Sequence, residues 1–328
     1  LKTNKKAGRK WPAFFMTVLV VKGIMVAEFI CLQSTVLAQK IADSFYKPLH
    51  QAKFITFADG EINVTLENPV LFHGKIVTII QSTGNPTNDF LLGTAFLAQE
   101  LKNAGASTVI AVLPYFGYSR QERSSIAGKP GHAKVVAQLL QDAGIDELIT
   151  VQLHDASIID FFSIPVHDLS AASTIAMHIQ KQQKTLKDIC LVAPDKGAHE
   201  YVESIARRIG VHSLLFLKER FAKDKTRIVG IAGDCHGATA VIIDDIIATG
   251  GTAIQVAHEL AERGYTNIEG YFVHPVFAGD AVARIETSDF DRLYVSNTLP
   301  LPSGTKDSFI QQFDVSHNIV ELLRKIIG

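Results

Sequence analysis

Two adjacent carboxylates, Asp244 and Asp245, are followed by a polar loop, Ala248, Thr249, Gly250, Gly251 and Thr252, within the stretch from Thr239 to Ala261. Ala240 to Ile243 is a continuous apolar, partly β-branched run of the kind buried on both faces of a parallel sheet, and from Ile254 the apolar spacing becomes helical. Gly250 and Gly251 let the backbone turn and approach a ligand closely, while Thr249 and Thr252 add hydroxyl donors at the mouth of the coming helix. Such a mouth offers unpaired N–H groups and the positive end of the helix dipole, which suits a phosphate. Two carboxylates beside it would repel a bare phosphate, but they accept hydrogen bonds from the vicinal hydroxyls of a sugar. Together these residues describe a site for a pentose 5-phosphate.

Three other groups have the types and spacing for phosphate chemistry. Lys218 and Arg220 follow the extended segment Val211 to Leu217 and leave it on the same side, as a two-pronged cationic clamp. The polar segment after them, Phe221 to Arg227, is expected to be a mobile cover over bound phosphates. His154 and Asp195 end two separate strands. An imidazole and a carboxylate can each take one or two positions around a divalent cation, with phosphate oxygens and water completing the shell. Tyr118 to Arg123 follows the strand Thr108 to Leu113, so Arg120 and Gln121 stand at a carboxyl edge, where α/β sheets place ligands. Tyrosine and arginine there can hold an aromatic base and a polyphosphate by stacking and paired donors.

These groups require strands and helices to position them. Met25 to Cys31 reads as a strand, and Ser34 is expected to cap a helix through Phe45, with Leu37, Ile41 and Phe45 on one face. Phe54 to Val64 reads as a hairpin turning at Asp59 and Gly60. Lys75 to Ile80 and Thr108 to Leu113 read as strands around a helix from Asn88 to Asn103, an order that implies right-handed crossovers and a parallel sheet. A helix, Gly131 to Asp142, and a strand, Leu148 to Leu153, complete the first half. In the second half, Ile189 to Ala193, Ile228 to Ala232, Ile268 to Val273 and Arg292 to Val295 read as further strands. A helix from about Ala198 and a final amphipathic helix, Val315 to Ile327, accompany them. Gln81 to Tyr115 repeats the layout of Asp245 to His274, including a helix ending Glu-Leu-x-x-x-Gly, but without the acid pair or the Thr-Gly-Gly-Thr loop. The fold expected is α/β, with two similar domains, each a mainly parallel sheet flanked by helices. Residues 25–168 form the first domain and 169–328 the second.

At 328 residues the chain can build two such domains, and 47% hydrophobic against 20% charged content excludes a disordered chain. A formal net charge of −1 argues against nucleic acid or an acidic membrane as the main partner, so anion binding must come from local sites. Three widely spaced cysteines, Cys31, Cys190 and Cys235, argue by their odd number against a disulfide framework, and a reducing cytoplasm is the expected compartment. Lys2, Lys5, Lys6, Arg9 and Lys10 precede the apolar run Ala13 to Val21, the outline of a signal peptide. Lys22 ends that run early and the run is too short to span a bilayer. Residues 1–24 are therefore expected to be an extension outside the fold, with Met16 and Met25 as alternative starts.

The acid pair and loop resemble the phosphoribosyl-binding loop shared by type I phosphoribosyltransferases and ribose-phosphate diphosphokinases. Five further stretches are similar to the diphosphokinases in order and spacing. Phe57 to Glu61 resembles that family's ATP-binding Phe-Ser-Asp-Gly-Glu, and Tyr118 to Arg123 its Tyr-Ala-Arg-Gln-Asp-Arg. Leu153 and His154 resemble its Leu-His before Phe-Phe. Pro194 with Asp195, and Lys218 to Arg220, resemble its metal-linked Asp and catalytic Lys-x-Arg. The resemblance implies two type I phosphoribosyltransferase-like domains and transfer of the diphosphoryl group of Mg²⁺–ATP to O1 of ribose 5-phosphate, giving phosphoribosyl diphosphate and AMP. It assigns ATP binding to Phe57, Asp59, Gly60, Glu61, Arg120, Gln121 and His154, and Mg²⁺ to His154 and Asp195. Lys218 and Arg220 would be catalytic, and Arg220, Asp244, Asp245, Ala248, Thr249, Gly250, Gly251 and Thr252 would hold ribose 5-phosphate. A homo-oligomer is the expected assembly.

Three stretches depart from the family pattern. Ala248 stands where many members carry an acid, Leu32 to Ser34 replaces a Gly-Asn-Ser turn, and Ser124 to Lys129 has a single cation where the best-known members are rich in them. Anion-sensitive regulation is accordingly expected to be weak. Two other functions compete with the diphosphokinase reading. A phosphoribosyltransferase consuming phosphoribosyl diphosphate is favoured by Ala248 and opposed by the doubled domain. A non-catalytic regulatory homologue is suggested by the altered segment 124–129 and opposed by the intact Lys218, Arg220, His154 and acid pair.

Overall fold

The computed structural model describes residues 27–124, 126–183, 186–222, 225–233, 235 and 237–328, with backbone alone at 218, 220–222 and 225–227. The amino-terminal extension expected at 1–24 lies outside the described residues.

The first half contains strands β1 Ala27–Cys31, β2 Leu49–Gln51, β3 Lys53–Thr56, β4 Ile62–Thr65, β5 Ile76–Ile80, β6 Thr108–Leu113, β7 Glu147–Val151 and β8 Val166–Leu169. Its helices are α1 Val36–Asp43, α2 Thr87–Asn103 and α3 His132–Asp142. A six-stranded parallel sheet runs β2-β1-β5-β6-β7-β8, and β3 with β4 forms a separate antiparallel hairpin. All of β5 is buried, as strands must be when helices cover both faces of a sheet. The first cap differs from the sequence reading: Thr35, not Ser34, is the N-cap of α1, its Oγ1 accepting from the Ala38 N–H at 3.1 Å.

The second half contains helices α4 Ala172–Gln182 and α5 His199–Ile209, strands β9 Ile189–Ala193, β10 His212–Ala222, β11 Lys225–Ala232 and β12 Thr239–Ile247, and helix α6 Gly251–Glu262. After these come β13 Asn267–Pro275, α7 Ala281–Glu286, β14 Arg292–Ser296, β15 Ile310–Phe313 and α8 Ser316–Ile327. Its sheet runs β11-β10-β9-β12-β13-β14-β15, parallel except for β11. The order β10-β9-β12-β13-β14-β15 reproduces β2-β1-β5-β6-β7-β8 strand for strand. Thus the internal similarity in sequence is a repeat of topology. In each half, a hairpin follows the second strand: β3–β4 in the first, and the β10–β11 ribbon in the second.

The halves share a core. Leu37 and Ile41 of α1, Ile80, Val112 and Val151 belong to the same buried cluster as Ile175, Ile205, Ile319 and Leu323. Removing that much apolar surface from water outweighs the polar contacts around its rim, such as Lys40–Asp314 at 2.9 Å and the Arg324 guanidinium over Phe45. The final helix was legible from its period: Ile319, Val320, Leu323 and Ile327 are its buried face. No helix among the described residues is long and apolar enough to cross a membrane.

Candidate active site between the halves

Strand β12 outruns β9. Their pairing stops at Ile242 with Val192, while β13 accompanies β12 to Ile247, so Asp244 and Asp245 project beyond the end of β9. The loop that follows is pinned by backbone bonds from Val276 to Ile247 and from Ala278 to Ala248, both at 3.0 Å. Gly250 is the N-cap of α6 at φ +75°, and an added Cβ would come within 2.9 Å of Ile285. Helix α6 therefore starts at Gly251, a turn before the Ile254 expected from periodicity. The first intrahelical bond runs from Ile254 N–H to Gly250 O at 2.9 Å, which leaves the N–H groups of Gly251, Thr252 and Ala253 without helical partners. No side chain caps this end. Unpaired N–H groups at a helix start are the geometry an anion site requires.

A cleft of about 430 Å³ opens over this loop. The second half lines it with Asp195, Gly197, Ala198, Tyr201, Asp244, Asp245 and the loop to Ala253, and the first half with Arg120, Glu122, Arg123 and Gln152 to Asp155. His154 crosses the gap: its Nδ1 lies 2.7 Å from Asp245 Oδ2. Hydrogen bonding to Asp245 raises the imidazole's pKa, burial opposes the rise, and the charges of Asp245 and Glu122 add to it. Burial pushes the Asp245 carboxyl up, but His154 outweighs it and holds the carboxyl below the ordinary range. Asp244 behaves oppositely: burial, then the charges of Asp245 and Asp195, lift it well above that range. The two carboxyls of the pair are thus pushed in opposite directions, Asp244 up and Asp245 down.

Asp195 uses Oδ1 to accept from Gly197 N–H at 2.9 Å and Ala198 N–H at 3.3 Å, fixing the turn into α5. Among the described residues no three His, Cys, Asp or Glu side chains cluster as a metal site. A divalent cation held by His154 Nε2 and Asp195 would therefore need substrate oxygens and water for the rest of its shell. Mg²⁺, which keeps several waters and binds through few carboxylates plus phosphates, suits that donor set.

The structure separates the residues the sequence grouped as one site. Arg120, His154, Asp195, Asp244, Asp245 and Ala248 to Thr252 share the cleft. Gln121 does not line it, and its Oε1 instead meets His132 Nδ1 at 2.9 Å. Phe57, Asp59, Gly60 and Glu61 form the tip of the β3–β4 hairpin, also outside the lining. The turn itself is as expected, with Gly60 at φ +91° and Phe57 N–H donating to Glu61 O at 2.7 Å. Lys218 and Arg220 do not end a strand. They lie within β10, paired with Ile228 and Thr226 of β11, and residues 221–222 and 225–227 of the expected mobile cover belong to this antiparallel ribbon, Lys223 and Asp224 lying outside the described residues. The cysteine count also misled: Cys190 and Cys235 are disulfide-bonded with Cα atoms 5.9 Å apart, and Cys31 is left buried.

Several residues in or beside the cleft escaped the sequence reading. Arg123 reaches Asp155 Oδ2 at 3.3 Å, and its place in the Tyr118 to Arg123 motif was the available signal. His274, buried, joins the halves by donating from Nε2 to Gln152 O at 3.1 Å while Nδ1 faces Thr298 Oγ1 at 3.0 Å. Burial lowers its pKa, consistent with a neutral structural imidazole. Arg284 donates to Thr249 O at 3.4 Å and Tyr201 lines the floor, and neither has a local signature.

Two mainly parallel sheets of matching strand order, flanked by helices, define a type I phosphoribosyltransferase-like α/β fold. Residues 28–144 match the model of the N-terminal domain of ribose phosphate pyrophosphokinase, and residues 172–328 match the phosphoribosyl synthetase-associated domain. The ribose-phosphate pyrophosphokinase of Bacillus caldolyticus is 35% identical over 88% of this chain and 91% of its own length. That of Chromobacterium violaceum is 36% identical over 88% of each. The crystal structure of phosphoribosylpyrophosphate synthetase from Mycobacterium smegmatis superposes with a TM-score of 0.83 at 26% identity, covering 92% of this chain and 98% of that one. The chain belongs to the ribose-phosphate pyrophosphokinase (diphosphokinase) family, and its function is that of a ribose-phosphate pyrophosphokinase.

Proposed function

We propose that the cleft holds ribose 5-phosphate and Mg²⁺–ATP side by side and directs O1 of the sugar at the β-phosphorus of ATP. A bond forms between O1 and that phosphorus, the bridging oxygen leaves with AMP, and O1 loses its proton. The observation that carries this reading is the common lining: loop 248–252 with Asp244 and Asp245 on one wall, Arg120, His154 and Asp195 near it on the others.

In this reading the N–H groups at the start of α6, with Thr249 and Thr252, take the 5-phosphate. Asp244 and Asp245 orient the ribose hydroxyls, which fixes O1 relative to the bound nucleotide. Arg120 and His154 face the polyphosphate. Asp195, and His154 Nε2 when its imidazole is neutral, would hold Mg²⁺, which would neutralise phosphate charge. Lys218 and Arg220, carried on the ribbon, meet the charge that develops on the transferred group. The β3–β4 hairpin lies outside the cleft of its own chain, so ATP contacts from Phe57, Asp59, Gly60 and Glu61, with Gln121, are reconciled with the geometry by a homo-oligomer in which a neighbouring copy presents them. The division of the chain near residue 168 and a cytoplasmic setting, where these charged metabolites are held, belong to the same reading.

Purified protein supplied with ATP, Mg²⁺ and ribose 5-phosphate is expected to form AMP and phosphoribosyl diphosphate in equal amounts. Diphosphate release that depends on a nucleobase, with no AMP from ATP, would reject it.

A further inference from the structure

Tyr201 stands in the first turn of α5, three residues beyond its N-cap, Ala198. Its ring packs on the core shared by the two halves, and the residue also lines the floor of the cleft. The hydroxyl is buried and, among the described residues, has no hydrogen-bond partner. A buried hydroxyl left unpaired costs about 1–3 kcal/mol, so its retention in a cleft calls for a partner that arrives with a ligand. Burial raises the phenol's pKa, and the nearby charges of Asp245, Asp168 and Asp244 push the same way, so the group stays a neutral O–H in the field of the sugar-binding acids. None of those carboxylates is within bonding distance of it. Asp168 is already engaged, accepting from Leu153 N–H at 3.0 Å, and Asp245 from His154.

Sugar hydroxyls both donate and accept. A carboxylate accepts hydrogen bonds and does not donate them. A ribose hydroxyl that donates to this pair is therefore left with lone pairs that the acids cannot serve. We infer that the Tyr201 hydroxyl supplies the missing donor, giving its hydrogen to the oxygen of a ribose hydroxyl whose own hydrogen goes to the acid pair. Tyr201 is then a sugar-binding residue of the pocket, and ribose 5-phosphate is its ligand. This rests on the assignment of Asp244 and Asp245 to the ribose hydroxyls.

Tyr201→Phe in the full chain tests it, because only the oxygen is removed. Two measurements are needed: the thermal midpoint without ligand, and calorimetric titration with ribose 5-phosphate and, separately, with Mg²⁺–ATP. The expected result is an unchanged or raised midpoint together with about three- to tenfold weaker ribose 5-phosphate binding, the loss of one neutral hydrogen bond, and unaltered Mg²⁺–ATP binding. Equal ribose 5-phosphate affinity in variant and wild type would overturn the role of Tyr201 alone. A lowered midpoint with both ligands weakened would make the hydroxyl structural, which also overturns it. Failure of the wild type to bind ribose 5-phosphate would overturn both this inference and the underlying sugar-site reading.

Discussion

His154 Nδ1 and Asp245 Oδ2 meet at 2.7 Å across the cleft, joining the end of β7 in one half to β12 in the other. With the imidazole 39% exposed, the pair contributes no more than about 1 kcal/mol after solvent screening, so the shared core, not this contact, holds the halves together. Its importance is electrostatic. The histidine's pKa is raised, so its contribution is complete below about 6.5 and fades as pH rises through the folded value. The aspartate's is lowered, so its contribution is present above about 4 and fades as pH falls through the folded value. Between those limits the ion pair is whole.

Asp245→Asn should therefore release His154 to titrate at lower pH, since burial then acts with less opposition. Ribose 5-phosphate affinity should fall as well, while Mg²⁺–ATP binding survives. Ring-proton NMR across pH 5 to 9 checks the first outcome, and an unchanged His154 titration would show that Asp245 does not set its charge.

Lys218→Ala tests the ribbon. A cation that meets charge appearing only in the transition state should lower kcat by about a hundredfold or more, with a smaller change in apparent substrate affinity. Arg220→Ala should show a mixed effect, because Arg220 is assigned to both the sugar phosphate and the transferred group. Near-normal turnover of Lys218→Ala at saturating substrates would leave the pair as an ordinary solvated charge run on an edge ribbon.

The central loop was legible because all its signals are local. An apolar strand, an acid pair, glycines and a change of period occur within one stretch of chain, and the structure differs in carrying β12 on to Ile247 and starting α6 at Gly251. What sequence could not show depends on pairing at a distance. β10 and β11 look like a strand followed by a charged loop until the register between Leu215 and Ala232 is known. Tyr201 reads as part of an amphipathic helix, and nothing local says that it lines the cleft with Asp244 and Asp245. His274 belongs to an apolar strand, yet its ring reaches Gln152 in the other half. The parity of the cysteines carried no spatial information.

The bond between Cys190 and Cys235 ties β9 to the segment that follows β11, beside the ribbon bearing Lys218. The Tyr265 hydroxyl donates to Cys235 O at 3.0 Å and holds the same segment non-covalently. Closing a loop of 45 residues stabilises a fold by about 2–4 kcal/mol in chain-entropy terms. A reducing cytoplasm would instead keep the two sulfurs as thiols. Oxidised protein is expected to lose that stability on treatment with dithiothreitol, and Cys235→Ser should show no further response. Burial pushes the Cys31 thiol up to about 12, so it should stay unreactive in both forms. Thiol counts of one before reduction and three after it, in denaturant, would agree with this; three before reduction would show the pair does not form in solution.

Gly250 and Gly251 adjoin each other but answer to different demands. At Gly250 the backbone is left-handed, which costs a residue with a Cβ about 1 kcal/mol, and that Cβ would also press on Ile285 at 2.9 Å. Gly250→Ala should thus destabilise the fold by about 1–3 kcal/mol and distort the loop, weakening ribose 5-phosphate binding as a consequence. At Gly251 no such need exists. Its φ is ordinary for any residue, and a Cβ would meet only the Thr249 hydroxyl at 3.9 Å and the Arg284 guanidinium at 4.0 Å. Alanine is also the better helix former at the start of α6. If phosphate packs against the backbone there, the added methyl group takes its space. Gly251→Ala should then keep or slightly raise the thermal midpoint while lowering ribose 5-phosphate affinity by about tenfold or more. Equal ribose 5-phosphate affinity in Gly251→Ala and wild type would move the 5-phosphate away from the start of α6.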